Sequence, residues 1–217
     1  MPIKVIIADD HHLVLEGLRL LLEKHARDIV ITGEAADGRK FLELARRKPA
    51  DVYLLDIAMP GLNGIDAAAR LLRADRTAKI IFLSMYDDKP TVEKAMKTGA
   101  KGYLLKECAA DEVVKAVHAV HRGGHYFSAA LHGFMAENLQ DARRASATSG
   151  GPAPLTSKER EIVQLVAEGL ANKQIARELK ISANTVHAHR NNIAHKLNIH
   201  KQADLVRYAI KEKIARL

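Results

Sequence analysis

The chain has 217 residues, with 34 Lys and Arg against 26 Asp and Glu for a formal charge of +8; its 47% apolar and 28% charged side chains fit a folded globular protein and argue against disorder. At roughly 100–200 residues per domain, this length suits one large domain or two small ones. One cysteine, Cys108, excludes an intramolecular disulfide and a cysteine-based zinc site. No apolar run approaches the roughly 18 residues of a membrane helix, and the first ten residues reach acidic side chains too early for a signal peptide. A cytoplasmic protein without a membrane partner is expected.

Short apolar runs at residues 3–8, 30–35, 52–55, 79–84 and 102–105 have the length and flanks of buried strands. Helical stripes lie between them: Val14, Leu18, Leu21 and Leu22 form one, and Phe41, Leu42 and Ala45 another. Strands alternating with helices in this way predict an α/β domain whose five-stranded parallel sheet is covered on both faces. In the flavodoxin-like strand order 2-1-3-4-5, strands one and three are neighbours at the switch point, and ligands bind beyond their carboxyl ends.

Acidic residues stand at those ends. Asp9 and Asp10 follow the first strand and Asp56 lies at the end of the third. Three carboxylates that close cannot all stay ionised without a counter-charge, and a hard divalent cation with oxygen ligands, most simply Mg²⁺, supplies it. Ser84 and Lys106 fall at the ends of the fourth and fifth strands. A hydroxyl and an ammonium beside a metal-bound carboxylate make a phosphoryl-binding site. Taken singly, an Asp after a strand is more often a loop residue or a helix cap; the five together carry the reading.

Residues 145–154, ASATSGGPAP, contain no core-forming side chain and predict a flexible linker. The expected domains are residues 1–125, a helical extension and linker over 126–154, and a small all-α four-helix domain over 155–217. The charge divides unevenly, with 20 basic and 18 acidic side chains in residues 1–125 but 12 and 6 in residues 153–217. A concentrated basic segment favours a polyanion, although a solvated basic surface is the plainer account.

In the last third, Thr156 and Glu159 form a capping box ahead of Ile162, Val163, Leu165 and Val166, and Gly169 ends that helix. A short helix with Ile175, Ala176 and Leu179 follows; then a turn leads to Ser182, the cap of a helix over 183–197. Two helices joined by a tight turn are a helix-turn-helix. On the second, Val186, Ile193 and Leu197 share the core side, while Asn184, Ala188, Asn191 and His195 lie opposite, with His187 and Asn192 at the margins. A recognition helix presents such a face to the major groove, where Asn pairs with adenine and Ala meets a thymine methyl. Lys173, Arg190, Lys196 and Lys201 surround that face as phosphate contacts, together with Thr185. An aromatic content of 4% without Trp provides no stacking platform for RNA or single strands, so duplex DNA is the favoured partner. His118, His121 and His125 fall near one helix face, yet no carboxylate or Cys completes a four-ligand set, and no metal is expected there.

On these residues the chain resembles response regulators of the NarL/FixJ class. IIADDHHLV, LLDIAMPGLNG, LSMYDD and GAKGYLLK are similar to receiver motifs over residues 3–123. LTSKEREIVQLVAEGLANKQIARELKISANTVHAHRNNIAHKL, with ADLVRYAI, resembles the four-helix LuxR-type output domain over residues 155–210. The resemblance implies that Asp56 accepts phosphate from a histidine kinase, and that Asp10, Asp56 and the Ala58 carbonyl hold Mg²⁺, with Asp9 acting mostly through water. It implies that Ser84 and Lys106 bind phosphoryl oxygens. Tyr103 matches an aromatic that rotates inward as the Ser84 hydroxyl moves toward phosphate, an ordinary strand aromatic being the alternative. His187, Ala188 and Asn191 match base-contacting positions; relatives often carry Lys at the first and sometimes at the last, so base preference does not carry over. Leu205, Val206, Ala209 and Ile210 match a dimerisation helix, with burial inside the monomer competing for the same stripe. The family further implies a homodimer on palindromic DNA after activation, RNA polymerase as a further partner, and no enzyme activity beyond the receiver's own phosphoryl transfer and hydrolysis.

The chain departs from many relatives in having Leu15 where Arg is common, and Glu107, rather than Pro, after the lysine. A DNA binder that works without phosphate is the alternative function. An aspartyl-phosphate phosphatase usually needs a second Asp where Ala58 stands, and a flavodoxin-like redox protein needs a Ser/Thr-rich loop where Asp9 and Asp10 stand. Ala58 and Tyr86 supply no amide or acid group to orient a hydrolytic water, and attack needs an oriented nucleophile. Phosphate is therefore expected to leave Asp56 slowly and faster in Ala58→Asn; rapid decay of the radiolabelled phosphoprotein, unchanged by that substitution, would contradict this.

Overall fold

In the computed structural model, β1 (Ile3–Ala8), β2 (Ile29–Ala35), β3 (Val52–Asp56), β4 (Ile80–Ser84), β5 (Gly102–Leu105) and β6 (Tyr126–Phe127) form one sheet ordered β2-β1-β3-β4-β5-β6. Residues 1–108, 110–131 and 155–216 are described, and the chain divides into two units, of which this sheet organises the first. All neighbouring strands run parallel, so each crossover must carry the chain back across a face of the sheet. The helices α1 (His12–His25), α2 (Gly38–Arg47), α3 (Gly64–Ala74), α4 (Lys89–Met96) and α5 (Ala110–His121) do so. Every residue of β3 and β4 is buried, which explains why these runs read as continuous rather than alternating apolar sequence. Leu15, Leu18 and Leu22 of α1 and Val113, Val117 and Val120 of α5 join Val5, Ile7, Leu54 and Leu83 in one core. Elsewhere, Phe41 meets Tyr53 edge-on with ring centroids 5.6 Å apart.

The expected strand order is present, but the sheet has six strands rather than five. β6 is two residues long, too short to show a period, and it occupies residues assigned from sequence to an extension beyond the first domain. Gly102 admits it: a Cβ there would come 3.0 Å from the Tyr126 carbonyl oxygen. The Ser128 hydroxyl then accepts a hydrogen bond from the Leu105 N–H at 3.1 Å, and residues 129–131 form a 3₁₀ turn. The expected linker at 145–154 lies outside the described residues. His118 does not join a metal-binding group among the described residues; its Nε2 lies 2.9 Å from Asp28 Oδ2.

One glycine positions the carboxyl end of β3. Asn63 caps α3 by accepting from the Asp66 N–H at 2.9 Å. The next residue, Gly64, donates its N–H to the Ile57 carbonyl at 2.9 Å. A Cβ on Gly64 would stand 1.9 Å from the Asp56 carbonyl oxygen, so only glycine allows the helix to start this close to the strand end.

The second unit contains α6 (Ser157–Ala167), α7 (Asn172–Leu179), α8 (Ala183–Leu197) and α9 (Gln202–Lys211). Ile162, Val163, Leu165, Val166, Ile175, Val186, Ile193, Leu205, Ala209 and Ile214 form its core. Burial inside the unit thus accounts for Leu205 and Ala209, while Val206 and Ile210 are half-buried. The capping box opens α6 as expected, and Ser182 caps α8 by accepting from the Thr185 N–H at 3.0 Å. Between α7 and α8, Lys180 adopts φ +52° and turns the chain. Among the described residues, no helix is long and apolar enough to cross a membrane.

The buried Glu159 of the capping box also receives a hydrogen bond from Lys196 Nζ at 2.7 Å. Burial raises the pKa of the Glu159 carboxyl, but the hydrogen bonds from Lys196 and Thr156 outweigh it and hold the group below its ordinary value of 4.5. A depressed folded-state pKa contributes stability above the unfolded value and loses it as pH falls through the folded one. Lys196→Met should therefore destabilise the second unit by about 1–3 kcal/mol at pH 7, and by less below pH 4, as measured by urea unfolding. An equal loss at both pH values would contradict the pairing.

Candidate functional site

Asp9, Asp10, Asp56, Ser84 and Lys106 stand at the carboxyl ends of β1, β3, β4 and β5, and Asp9, Asp10, Asp56 and Lys106 cluster there. Asp9, Asp56 and Ser84 are buried, Asp10 is half-buried, and the Lys106 side chain is only 7% exposed. Lys106 Nζ stands 2.6 Å from Asp9 Oδ2 and 3.1 Å from Asp56 Oδ2. Both oxygens are buried, and the one ammonium faces both carboxylates. Two buried carboxylates that share one ammonium keep an uncompensated negative charge, which a bound cation would offset. Ligand atoms from Asp9, Asp10, His11 and Asp56 all lie within 4.8 Å of one another, so the donor set fits a divalent ion.

Ser84 Oγ accepts from the Tyr86 N–H at 3.0 Å. Tyr103 lies fully inward, and its hydroxyl donates to the Tyr86 carbonyl at 2.7 Å; burial pushes that hydroxyl's pKa up. The backbone of Ala58 provides a hydrogen bond that favours the ionised form of Asp56. Sequence reasoning missed His11. Its N–H donates to Asp9 Oδ1 at 2.9 Å, and its Nδ1 lies 3.0 Å from Asp9 Oδ1 and 3.2 Å from Asp10 Oδ1. Adjacency to the acidic pair was the available signal.

On the second unit, Thr185, His187, Ala188 and Asn191 are exposed on α8, as are Lys173 and Lys201 nearby. Two of the expected phosphate contacts also have partners within the unit. Lys196 bonds Glu159, and Arg190 donates to Asn172 Oδ1 at 2.7 Å and Gln202 Oε1 at 3.5 Å. The Thr185 hydroxyl lies 2.8 Å from Ser182 Oγ at the start of α8. The outward face of α8 is consequently rich in Asn and His and holds no carboxylate.

An acidic pocket on a 2-1-3-4-5 sheet, joined in one chain to a helix-turn-helix, defines a signal receiver with an output domain. The chain matches the response regulator receiver domain over residues 5–118 and the luxR family of bacterial regulatory proteins over residues 153–209. It is 37% identical over 212 residues to the transcriptional regulatory protein MctR of Rhizobium johnstonii, covering 98% of this chain and 95% of that protein. It is 34% identical over 213 residues to the nitrate/nitrite response regulator NarL of Escherichia coli, covering 98% and 97%. A solved structure of the RcsB response regulator of Salmonella typhimurium, described for its DNA interaction, aligns with a TM-score of 0.63 and 26% identity over 97% of this chain and 98% of that one. The chain belongs to the two-component response regulators that carry a receiver domain and a LuxR-type helix-turn-helix DNA-binding domain.

Desolvation raises the Asp56 pKa above its ordinary value of 3.8, and the nearby Asp9 adds to this; Lys106 opposes both without cancelling them. Between the ordinary and raised values, the folded chain holds a proton that the unfolded chain has lost, so stability falls as pH rises through that window. Without divalent ions, Asp56→Asn should stabilise the first unit by about 1–3 kcal/mol at pH 7 and much less at pH 4. Thermal unfolding at the two pH values measures this, and a variant no more stable than wild type at pH 7 would refute it.

Proposed function

We propose that this chain is a transcription regulator switched by phosphoryl transfer from a histidine kinase to Asp56. The observation that carries the reading is the buried Asp56 carboxylate at the end of β3, 3.1 Å from the Lys106 ammonium and beside Asp9 and Asp10. An Asp56 oxygen attacks the phosphorus of a phosphohistidine; the P–O bond forms as the P–N bond breaks, and the imidazole leaves. Such a transfer demands mainly positioning and charge stabilisation. Lys106 meets the charge on the phosphoryl oxygens. The Ser84 hydroxyl, which accepts from Tyr86, turns to donate to a phosphoryl oxygen. Asp10, Asp56 and the Ala58 carbonyl would hold Mg²⁺, with Asp9 acting through water, and the ion supplies positive charge against the phosphoryl group.

Movement of Ser84 disturbs Tyr86, whose main chain contacts both Ser84 and Tyr103. These residues therefore form the switch, with Tyr103 holding the inward position. Phosphorylation favours a homodimer, and two α8 helices enter successive major grooves of a palindromic site about 34–36 Å apart. His187, Ala188 and Asn191 read bases, while Lys173, Lys201 and Thr185 meet phosphates. Arg190 and Lys196, each of which also donates within the unit, complete the phosphate contacts. The similarity to NarL and to RcsB supports the DNA-binding half of this reading, and RNA polymerase would be the partner through which bound protein affects transcription.

Duplex binding by wild type and Asp56→Ala, with and without acetyl phosphate and Mg²⁺, tests the switch. Wild type should tighten by about tenfold, a coupling of about 1.4 kcal/mol, and Asp56→Ala should not respond; an identical response by both proteins would sink the proposal. In the same assay Asn191→Ala should alter sequence preference. Lys173→Ala should instead weaken all sites and reduce the salt slope by about one.

A further inference from the structure

Ser128 follows β6 and is buried against the outer edge of β5. β6 pairs with Gly102 and Tyr103 and ends at Phe127, before the part of β5 that leads into Lys106. Ser128 supplies the next rung. Its N–H donates to the Tyr103 carbonyl at 3.0 Å, and its Oγ accepts from the Leu105 N–H at 3.1 Å. In a parallel ladder continued by one residue, the Ser128 carbonyl would accept that N–H. Here the carbonyl is taken by the Leu131 N–H at 2.8 Å, because the chain turns away into the 3₁₀ turn that the fully buried Leu131 anchors. The hydroxyl stands in for the carbonyl, so the chain leaves the sheet while the Leu105 N–H keeps its partner.

On the other edge of β5, Leu105 pairs with Ser84, and the Lys106 N–H donates to the Ser84 carbonyl at 2.8 Å. Leu105 is thus held between Ser84 and Ser128, and from the next residue the Lys106 ammonium reaches Asp9 and Asp56. We propose that Ser128 is a positioning residue for phosphoryl transfer: it fixes the main chain from which Lys106 extends, and so the ammonium that meets the phosphoryl oxygens. The inference rests on the reading of Asp56 as the phosphoacceptor. It adds to that site a residue outside the stretch that matches the receiver family, residues 5–118. A displacement at the end of β5 is carried along the Lys106 side chain, and a misplacement of about 1 Å at a reacting centre can cost about a hundredfold in rate.

The test follows the labelling rate of the full chain by radiolabelled acetyl phosphate in the presence of Mg²⁺. Ser128→Ala should label about tenfold more slowly than wild type, and Ser128→Thr, which keeps the oxygen, should label near the wild-type rate. In a Lys106→Ala background, Ser128→Ala should slow labelling no further, because the hydroxyl acts through the ammonium. Phe41→Leu disturbs the packing on Tyr53 instead; it should lower the thermal midpoint and leave the labelling rate unchanged. An unchanged rate in Ser128→Ala, or an equal loss in Ser128→Thr, overturns the proposal. So does a further tenfold loss in the Lys106→Ala background, or a loss in Phe41→Leu as large as that in Ser128→Ala. The underlying reading fails separately if wild type takes up no label, or if Asp56→Ala labels as fast as wild type.

Discussion

Lys106 stands between Asp9 and Asp56, 2.6 and 3.1 Å from their Oδ2 atoms, and one ammonium must answer two buried carboxylates. That imbalance organises the first unit. It needs a sheet whose first, third and fifth strands end together, because the three residues come from separate strand ends. It also needs the close start of α3 at Gly64, which holds the main chain of Asp56 in place. Here burial, with the nearby Asp9, raises the Asp56 pKa, and the same cluster of carboxylates fits a cation.

The second unit treats charge in the opposite way. Its surplus of basic side chains surrounds a helix whose outward face is nearly neutral. Lys196 and Arg190, which flank that face in sequence, are committed to Glu159 and to Asn172 and Gln202. Each bond ties α8 to its neighbours. Lys173 and Lys201 are exposed near the helix, whose outward side carries amide, imidazole and methyl groups.

Features carried by neighbouring residues were legible in the sequence. The five longer strands, the Thr156–Glu159 capping box and the span of α8 each depend on local pattern, and all appear in the structure. Asp9, Asp10, Asp56, Ser84 and Lys106 were legible as a group because a parallel sheet places successive strand ends side by side. β6 was not, since two residues have no period and the strand depends on a bare Gly102 and on Ser128. The partner of Lys196 was equally hidden, because Glu159 lies 37 residues away.

By itself, then, the sequence determined the class of protein and the chemistry of its pocket: period, caps and strand-end residue types are short-range properties that survive without tertiary contacts. Only the tertiary structure decided which charges are spent internally. Lys106 is shared by two aspartates, Lys196 is bonded to Glu159, Tyr103 is held inward, and His11 is turned onto the acidic pair. Burial and distance set the strength of an ionic contact, and both arise only when distant segments meet.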